Sequence, residues 1–586
     1  MNRLSQFIKK NILVLLFALV VGLLSVAPTV LAPLSIVSEY KGVQYLYLND
    51  ETIYRARIHE ILDGEPSVAS PFLFEYKDAK TVVPPINEYF YAVPAYIFGL
   101  SGAIIFAKFF FPLVLFLLIY EFVTLLLISL PSGTRRSTGI AVALLVTLGY
   151  DLVDSGFIKA LLHGSVGTHL LLWTRVVNPI VGVMVGFAAL IAVWKIFTTK
   201  QKKFIVLLAL LMALSVGYFF SFAVCYVFVG LMTLISLVRK EFRVAGMLTL
   251  AGVLSVVIDI SYWYHSLTML SGAEGKAASL KNGMFFTHEL IINKLVLVAT
   301  IVSLGIFLFG FFKAKKQVAE DIKSWLFILG LLLTSWIVFA QQVLTGKEVW
   351  PDHFVQFTIP FMMICGVVSA ALVFSAKFPK LWLTFLSLIV VASVAVGTYS
   401  AGSYTHNRND FIRVQSYGGL FSWLNTAAQN ECVVMVREWN EELERMIPAY
   451  THCNVYSTQY VYFGVPEERT LHNFVLRMRL LGVDPLHAEE YLYADENDVR
   501  GYFFENWGQL YMSTQGRDAW LDSKVSIIAN AYRASLSMSL YEEIHKYRAD
   551  YLYSEEPLSK EMMKELPDST VILSTPHYTL YKISPR

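Results

Sequence analysis

Two neighbouring acids, Asp50 and Glu51, open a short helical pattern just past the first apolar stretch of this 586-residue chain. A carboxylate so placed can take or orient an acceptor's proton, an assistance typically worth roughly 10²–10⁴-fold. Two further acids, Asp151 and Asp154, close a later apolar run. They are candidates for binding an acceptor, or for sharing a divalent ion with Asp50. Arg175, in the run Trp173-Thr-Arg-Val-Val-Asn-Pro179, carries the planar fork that matches phosphate oxygens. His163 and His169 lie near it in sequence. Lys347 and His353, in the segment 341–353, form a second set of candidate phosphate donors. A base, a cation for a departing phosphate and an apolar groove are what group transfer from a lipid phosphate requires, and fixed cations can contribute as much as the base.

Each residue also has a plainer reading. Asp is a preferred N-cap, and Asp50 sits where a cap belongs. Glu51 complements the dipole of a first helical turn. Asp151 and Asp154 read equally as solvated helix-end residues or as marks of a polar cavity at a membrane edge. Arg175 suits snorkelling to headgroups, and a lone His such as His353 is often a structural hydrogen-bonding group. His288 and Glu289 read as loop residues.

The elements that must position these groups are membrane elements. Apolar residues make up 56% of the chain and charged residues 16%, against about 45–50% and about 25% in globular proteins. A net charge of +2 leaves no basic surface for nucleic acid. The first apolar run, with Ser25-Val-Ala27, imitates a signal peptide, but it continues to Ile36 and suits an uncleaved span better. Spans are expected at 11–32, 104–130, 139–153, 179–197, 204–218, 223–237, 244–261, 290–312, 325–343, 354–374 and 381–400, about eleven in all. The stretch 204–237 must hold two short spans with a turn near 217–221.

Every second loop is basic: Arg135 and Arg136, then Lys195 to Lys203, Arg239 to Arg243, Lys313 to Lys323, and Lys377 with Lys380. That pattern puts the N-terminus in the cytoplasm and Asp50, Asp154, Arg175 and the C-terminus outside. The first outer segment, 33–101, holds an amphipathic helix over 51–62 and, after Pro84-Pro85, an interfacial stretch 86–100. The domain reading is a transmembrane unit over 1–400 and a soluble extracytoplasmic α/β domain over 401–586. The latter has strands at 432–436, 454–456, 549–553 and 578–583 and helices at 467–481, 489–506 and 539–547. Cys432 and Cys453 fall at the starts of its first two strands, where a disulfide is open to them.

With Asp50-Glu51, Tyr54-Arg55, Gly64, Pro84-Pro85, many spans and a C-terminal α/β domain, the chain resembles the GT-C class of membrane glycosyltransferases, which includes protein O-mannosyltransferases and aminoarabinose transferases. The resemblance implies inverting transfer of a sugar from a polyprenyl-phosphate donor to a glycan, lipid or protein acceptor at a bacterial or archaeal cell membrane. Asp50 would be the base, and Asp154 or Asp151 would assist. No cofactor is required by the sequence, and a divalent cation is compatible with it. The Trp-Trp-Asp-Tyr-Gly motif of oligosaccharyltransferases is absent, which argues against N-glycosylation. Two other classes compete. A non-catalytic envelope-assembly scaffold would share the architecture. A transporter or flippase would show duplicated halves and midspan polar sites, whereas the ionisable residues here gather at the outer edge, Asp259 being the main exception.

Overall fold

The computed structural model describes residues 2–46, 49–79, 83–272, 275, 279, 284–313, 319–459, 465–503, 514–567 and 569–583. Each expected span is helical. The helices are α1 (Asn2–Leu34), α3 (Ile86–Leu126), α4 (Ser132–Thr147), α6 (Ile180–Thr199), α7 (Lys203–Leu214) and α8 (Phe219–Val238). They continue with α9 (Phe242–Ile258), α11 (Lys294–Lys313), α12 (Ala319–Phe339), α13 (Pro351–Phe374) and α14 (Pro379–Gly402). Between them lie α2 (Asn49–Leu62), α5 (Ser155–Leu162) and α10 (Ile260–Leu270).

Among the described residues, eight helices are long and apolar enough to cross a membrane, or nine if α9 and α10, bent by 67° at Asp259, count as one span. Eight or nine of the eleven expected spans thus reach full crossing length among the described residues. At 16 and 12 residues, α4 and α7 fall short of the ~20 that a bilayer core needs. The turn expected near 217–221 falls at 215–218, where a 3-10 turn hands over to the extended residue Tyr218 (φ −144°).

Two local features shape the membrane face. A straight helix of 41 residues would run about 60 Å, twice a bilayer core. Instead α3 breaks at Gly99, whose φ of +67° is readily available only to glycine. The part before the break leaves Val93, Tyr96 and Ile97 exposed, as an interfacial helix does. Second, α4 ends at Thr147, and Tyr150–Val153 is a 3-10 turn. The expected span to 153 is thus too long, and Asp151 sits in that turn.

The last third carries a five-stranded sheet in the order β4-β3-β5-β7-β6. Strand β3 (Val433–Val436) runs parallel to β4 (Asn454–Val455) and β5 (Tyr551–Ser554); β7 (Thr579–Lys582) and β6 (Thr570–Ser574) complete it antiparallel. Cys432 and Cys453 are disulfide-bonded, with Cα atoms 4.4 Å apart. A separate two-stranded ribbon joins β1 (Met284–Phe285) to β2 (Glu348–Val349). The helix expected over 489–506 is broken at Asp495 into Ala488–Ala494 and Glu496–Phe503; residues 504–506 lie outside the described set.

The first outer segment does not pack with the spans alone. Val43, Ile53, Ala56, Phe72 and Leu73 share one core with Val434, Ile447, Val455 and Tyr553. Val455 N donates to Phe72 O at 2.9 Å, so the segment extends the sheet's edge. Arg55 clamps the joint. It donates to Ala449 O (2.9 Å), Gln44 Oε1 (2.9 Å) and Ser101 Oγ (3.2 Å), with its guanidinium 4.2 Å above the Tyr450 ring.

Candidate active site

Asp50 stands in the first turn of α2 and does not point into bulk solvent. Arg175, from the segment that leads into α6, donates to its Oδ2 through Nη2. The Asp50 side chain keeps 33% of its surface open and that of Arg175 18%. Among the described residues, two enclosed atoms of the pair, Asp50 Oδ1 and Arg175 Nε, have no hydrogen-bond partner. Burial raises the Asp50 pKa above the usual carboxylate value, and the Arg175 charge pulls it part of the way back. Buried polar atoms are nearly always satisfied in folded proteins, so unused valences on facing charges mark a place built for something else.

Glu51 behaves differently. Its side chain is wholly buried, pairs with Lys108 Nζ of α3 at 2.8 Å, and accepts from Val176 N at 3.0 Å. It holds the Arg175 segment against α2 and α3. Backbone strain accompanies this contact: Val177 has φ +65°, which a β-branched residue rarely adopts.

Around the pair stands a polar ring. Asn178 Nδ2 donates to Tyr54 Oη (3.1 Å), and Asn87 Nδ2 donates to Asn178 Oδ1 (2.7 Å). Tyr54 lies one turn beyond Asp50 and is pushed up to about 12 by burial first and by Asp50 second. Tyr218 Oη donates to Gln356 Oε1 at 3.1 Å and lies 3.1 Å from His353 Nδ1. Both Tyr218 and His353 are within electrostatic reach of Arg175. Trp350, three residues before His353, takes φ +39°. Behind the ring, Arg57 of α2 pairs with the buried Glu88 of α3.

Of the residues named from sequence, Asp50, Glu51, Arg175 and His353 thus come together. Asp151 lies elsewhere in its loop and faces His169 Nε2 at 3.1 Å, whose Nδ1 is 2.5 Å from Ser400 Oγ. Asp154 caps α5 by accepting from Gly156 N at 2.8 Å. His163, exposed at the end of α5, turns Nδ1 to Lys159 O at 2.7 Å. Lys347 is exposed, and its carbonyl accepts from Gln341 Nε2 at 2.7 Å. Glu348 beside it is buried, both of its carboxylate oxygens lack a partner among the described residues, and burial lifts it to about 7.

One group among the described residues gathers ligand atoms tightly enough for a shared ion, namely Cys432, His452 and Cys453. Both of its sulfurs are consumed by the disulfide.

Lys108, Tyr218, Asn178 and Glu88 were not singled out from the sequence. The available signal was the lone charge: Lys108 is the one cation inside an otherwise apolar run over 89–120, and intramembrane charges mark functional sites.

The fold and this part-buried charged site together define an integral membrane protein with a sheet-bearing C-terminal unit locked onto the segment that follows its first span. No protein-family model matches the chain, and no curated protein matches it. Among solved structures, the chain is similar to ArnT from Cupriavidus metallidurans in the apo state, with 11% identity over 95% of this chain and 97% of that one and a TM-score of 0.43. It is also similar to the Archaeoglobus fulgidus oligosaccharyltransferase, with 14% identity over 94% of this chain and 70% of that one and a TM-score of 0.45.

Proposed function

We propose that this protein is a membrane glycosyltransferase that moves a sugar from a polyprenyl-phosphate donor to an extracytoplasmic acceptor with inversion. The observation that carries the reading is the Asp50–Arg175 pair, two enclosed opposite charges that each keep an unused atom. Donor phosphate competes with Asp50 for the Arg175 guanidinium, whose fork geometry fits it. Drawing Arg175 away removes the charge that depresses the Asp50 pKa and leaves the burial that raises it. The base therefore becomes more basic as the donor seats.

Asp50 then takes the acceptor hydroxyl proton. The acceptor oxygen attacks the anomeric carbon from the face opposite the phosphate, and the carbon–oxygen bond to phosphate breaks. Polyprenyl phosphate leaves with the electron pair, held by Arg175. Glu51 serves as an anchor for the Arg175 segment. Asp151 is the better second acid, since the Asp154 carboxylate is engaged in capping. The alternating basic loops support a cytoplasmic N-terminus, and the Cys432–Cys453 disulfide suits an outward, oxidising side for the sheet. The same bias supports the inner membrane face of a bacterial or archaeal cell for those basic loops.

The test compares membranes carrying wild-type protein with those carrying Asp50→Asn, each supplied with a polyprenyl-phosphate sugar. Release of polyprenyl phosphate is expected to fall by roughly 10²–10⁴-fold. Equal release from both would remove Asp50 as base, and equal release no faster than from membranes without the protein would leave the non-catalytic scaffold reading.

A further inference from the structure

The C-terminal unit carries an open cleft of about 640 Å³ that the transfer chemistry does not use. That volume falls in the range of small-molecule sites, roughly 300–1,000 Å³. Trp439 and Tyr417 supply aromatic surface. The Trp439 ring is fixed before any ligand arrives: its Nε1 donates to Tyr491 Oη at 2.9 Å, and Arg477 stacks 4.3 Å from its centroid. Asn440 bridges Tyr417 Oη (3.0 Å) and Glu555 Oε1 (2.9 Å), so the far wall is held rigid too.

The charge of the lining selects the ligand. Glu441, Glu442, Asp498 and Glu555 face Arg413 and Arg445, four acids against two bases. A phosphate or other anion is repelled by that balance. A lipid tail finds too many charges. Carboxylates accept paired hydroxyls, and aromatic faces attract the weakly positive C–H edges of a ring. Asp498 is lifted to about 6 by burial first and then by Asp495 and Glu441, and at neutral pH it is still mostly a carboxylate that accepts hydrogen bonds.

The cleft does not end there. A second cavity of about 280 Å³ shares Arg413, Glu442 and Arg445 with it and reaches Leu46 and Thr52 of the first outer segment. The Arg413–Glu442 fork, with contacts of 2.6 and 3.1 Å, forms the common wall. Thr52 is two residues from Asp50. The two cavities thus adjoin across that fork as a divided trough, one end at Trp439 and the other at Thr52 in the first turn of the helix that bears Asp50.

We infer that this trough binds a saccharide chain, uncharged or amino-bearing and not phosphorylated, and that it feeds the end of that chain toward Asp50. Its role as the acceptor's path depends on the glycosyl-transfer reading, whereas the binding itself does not.

The experiment measures binding without donor, so its failure is separate from any failure of the transfer reading. Purified full-length protein in lipid nanodiscs is titrated by calorimetry with chitooligosaccharide, its de-N-acetylated amino form, maltooligosaccharide, a phosphorylated oligosaccharide and a lysine-rich peptide. At least one uncharged or amino oligosaccharide is expected to bind, and Asp498→Asn to weaken it about tenfold, the worth of one hydrogen bond to a charged group. Trp439→Ala should abolish binding. Because Trp439 also packs on Arg477, the rim variant Asp498→Asn decides the matter if Trp439→Ala does not fold. Binding of the phosphorylated chain or the peptide alone, no oligosaccharide binding at all, or an affinity unmoved by Asp498→Asn would each overturn the inference.

Discussion

Two carboxylate–guanidinium pairs in this molecule, one buried and one part-buried, make an instructive contrast. In the C-terminal unit, Glu444 and Arg477 are both buried, and their neighbours saturate them. Ser457 Oγ donates to Glu444 Oε1 (3.1 Å), Tyr502 Oη donates to Oε2 (3.1 Å), and Arg477 Nη1 donates to Tyr502 Oη (2.6 Å). At the membrane face, Asp50 and Arg175 pair in the same way yet leave Oδ1 and Nε unused. A saturated network rigidifies a core. An unsaturated one is costly to keep and makes sense where a ligand completes it. A carboxylate and a guanidinium thus serve structure in one region and, under the proposed function, chemistry in the other, and the difference lies in the surrounding donors.

The contrast can be broken in order of effect. Arg477→Met leaves Glu444 buried without its cation, and is expected to cost roughly 3–5 kcal/mol of stability, read from urea unfolding followed by tryptophan fluorescence. Arg175→Lys keeps the charge and loses the fork. It should lower polyprenyl phosphate release by roughly 10²–10³-fold with little change in melting temperature. If Arg175→Lys instead melted early at full turnover, the two pairs would be alike and the contrast would fail. Tyr502→Phe removes one hydrogen bond and should cost about 1 kcal/mol of stability, with turnover per folded molecule unchanged.

A pH-dependent effect belongs to Glu60, which burial holds up at about 7 although Lys77 Nζ lies 3.6 Å away. The folded carboxyl keeps a proton that the unfolded chain, with a value of about 4.3, has released. Its stabilisation is complete below that lower value and is lost as pH rises toward 7. Glu60→Gln should therefore gain in melting temperature over wild type on going from about pH 5 to about pH 8. A gain that shrank with rising pH would contradict this.

Asp50 and Arg175, 125 residues apart, were both legible in the sequence and meet in the fold. The reason is physical. Each adjoins the end of an apolar run, and a membrane brings such ends into one plane. Positions fixed only by tertiary packing left no such trace. Tyr218 reads as a plain aromatic before a span, and no periodicity announces that Arg55 will reach Ala449, 394 residues away. Strand β6 was missed because its residues lie largely exposed and its pattern has no buried face. The helix Thr514–Ser535 was missed as well, its charges and short apolar steps masking a buried stripe of Leu521, Val525, Ile528 and Tyr532. Glu51 was legible as a residue of interest, but only its contact with Lys108 reveals an anchor.

The backbone bond from Val455 to Phe72 ties the beginning of the chain to its last third. A ribosome must therefore deliver more than three-quarters of the polypeptide before the early loop finds its permanent seat. Until then Asp50 rides on a helix that lacks half of its supporting core. Expression of residues 401–586 alone would strip the same core from the other side and leave a sticky, unfinished surface. The early loop and the last third of the chain thus complete one shared core together.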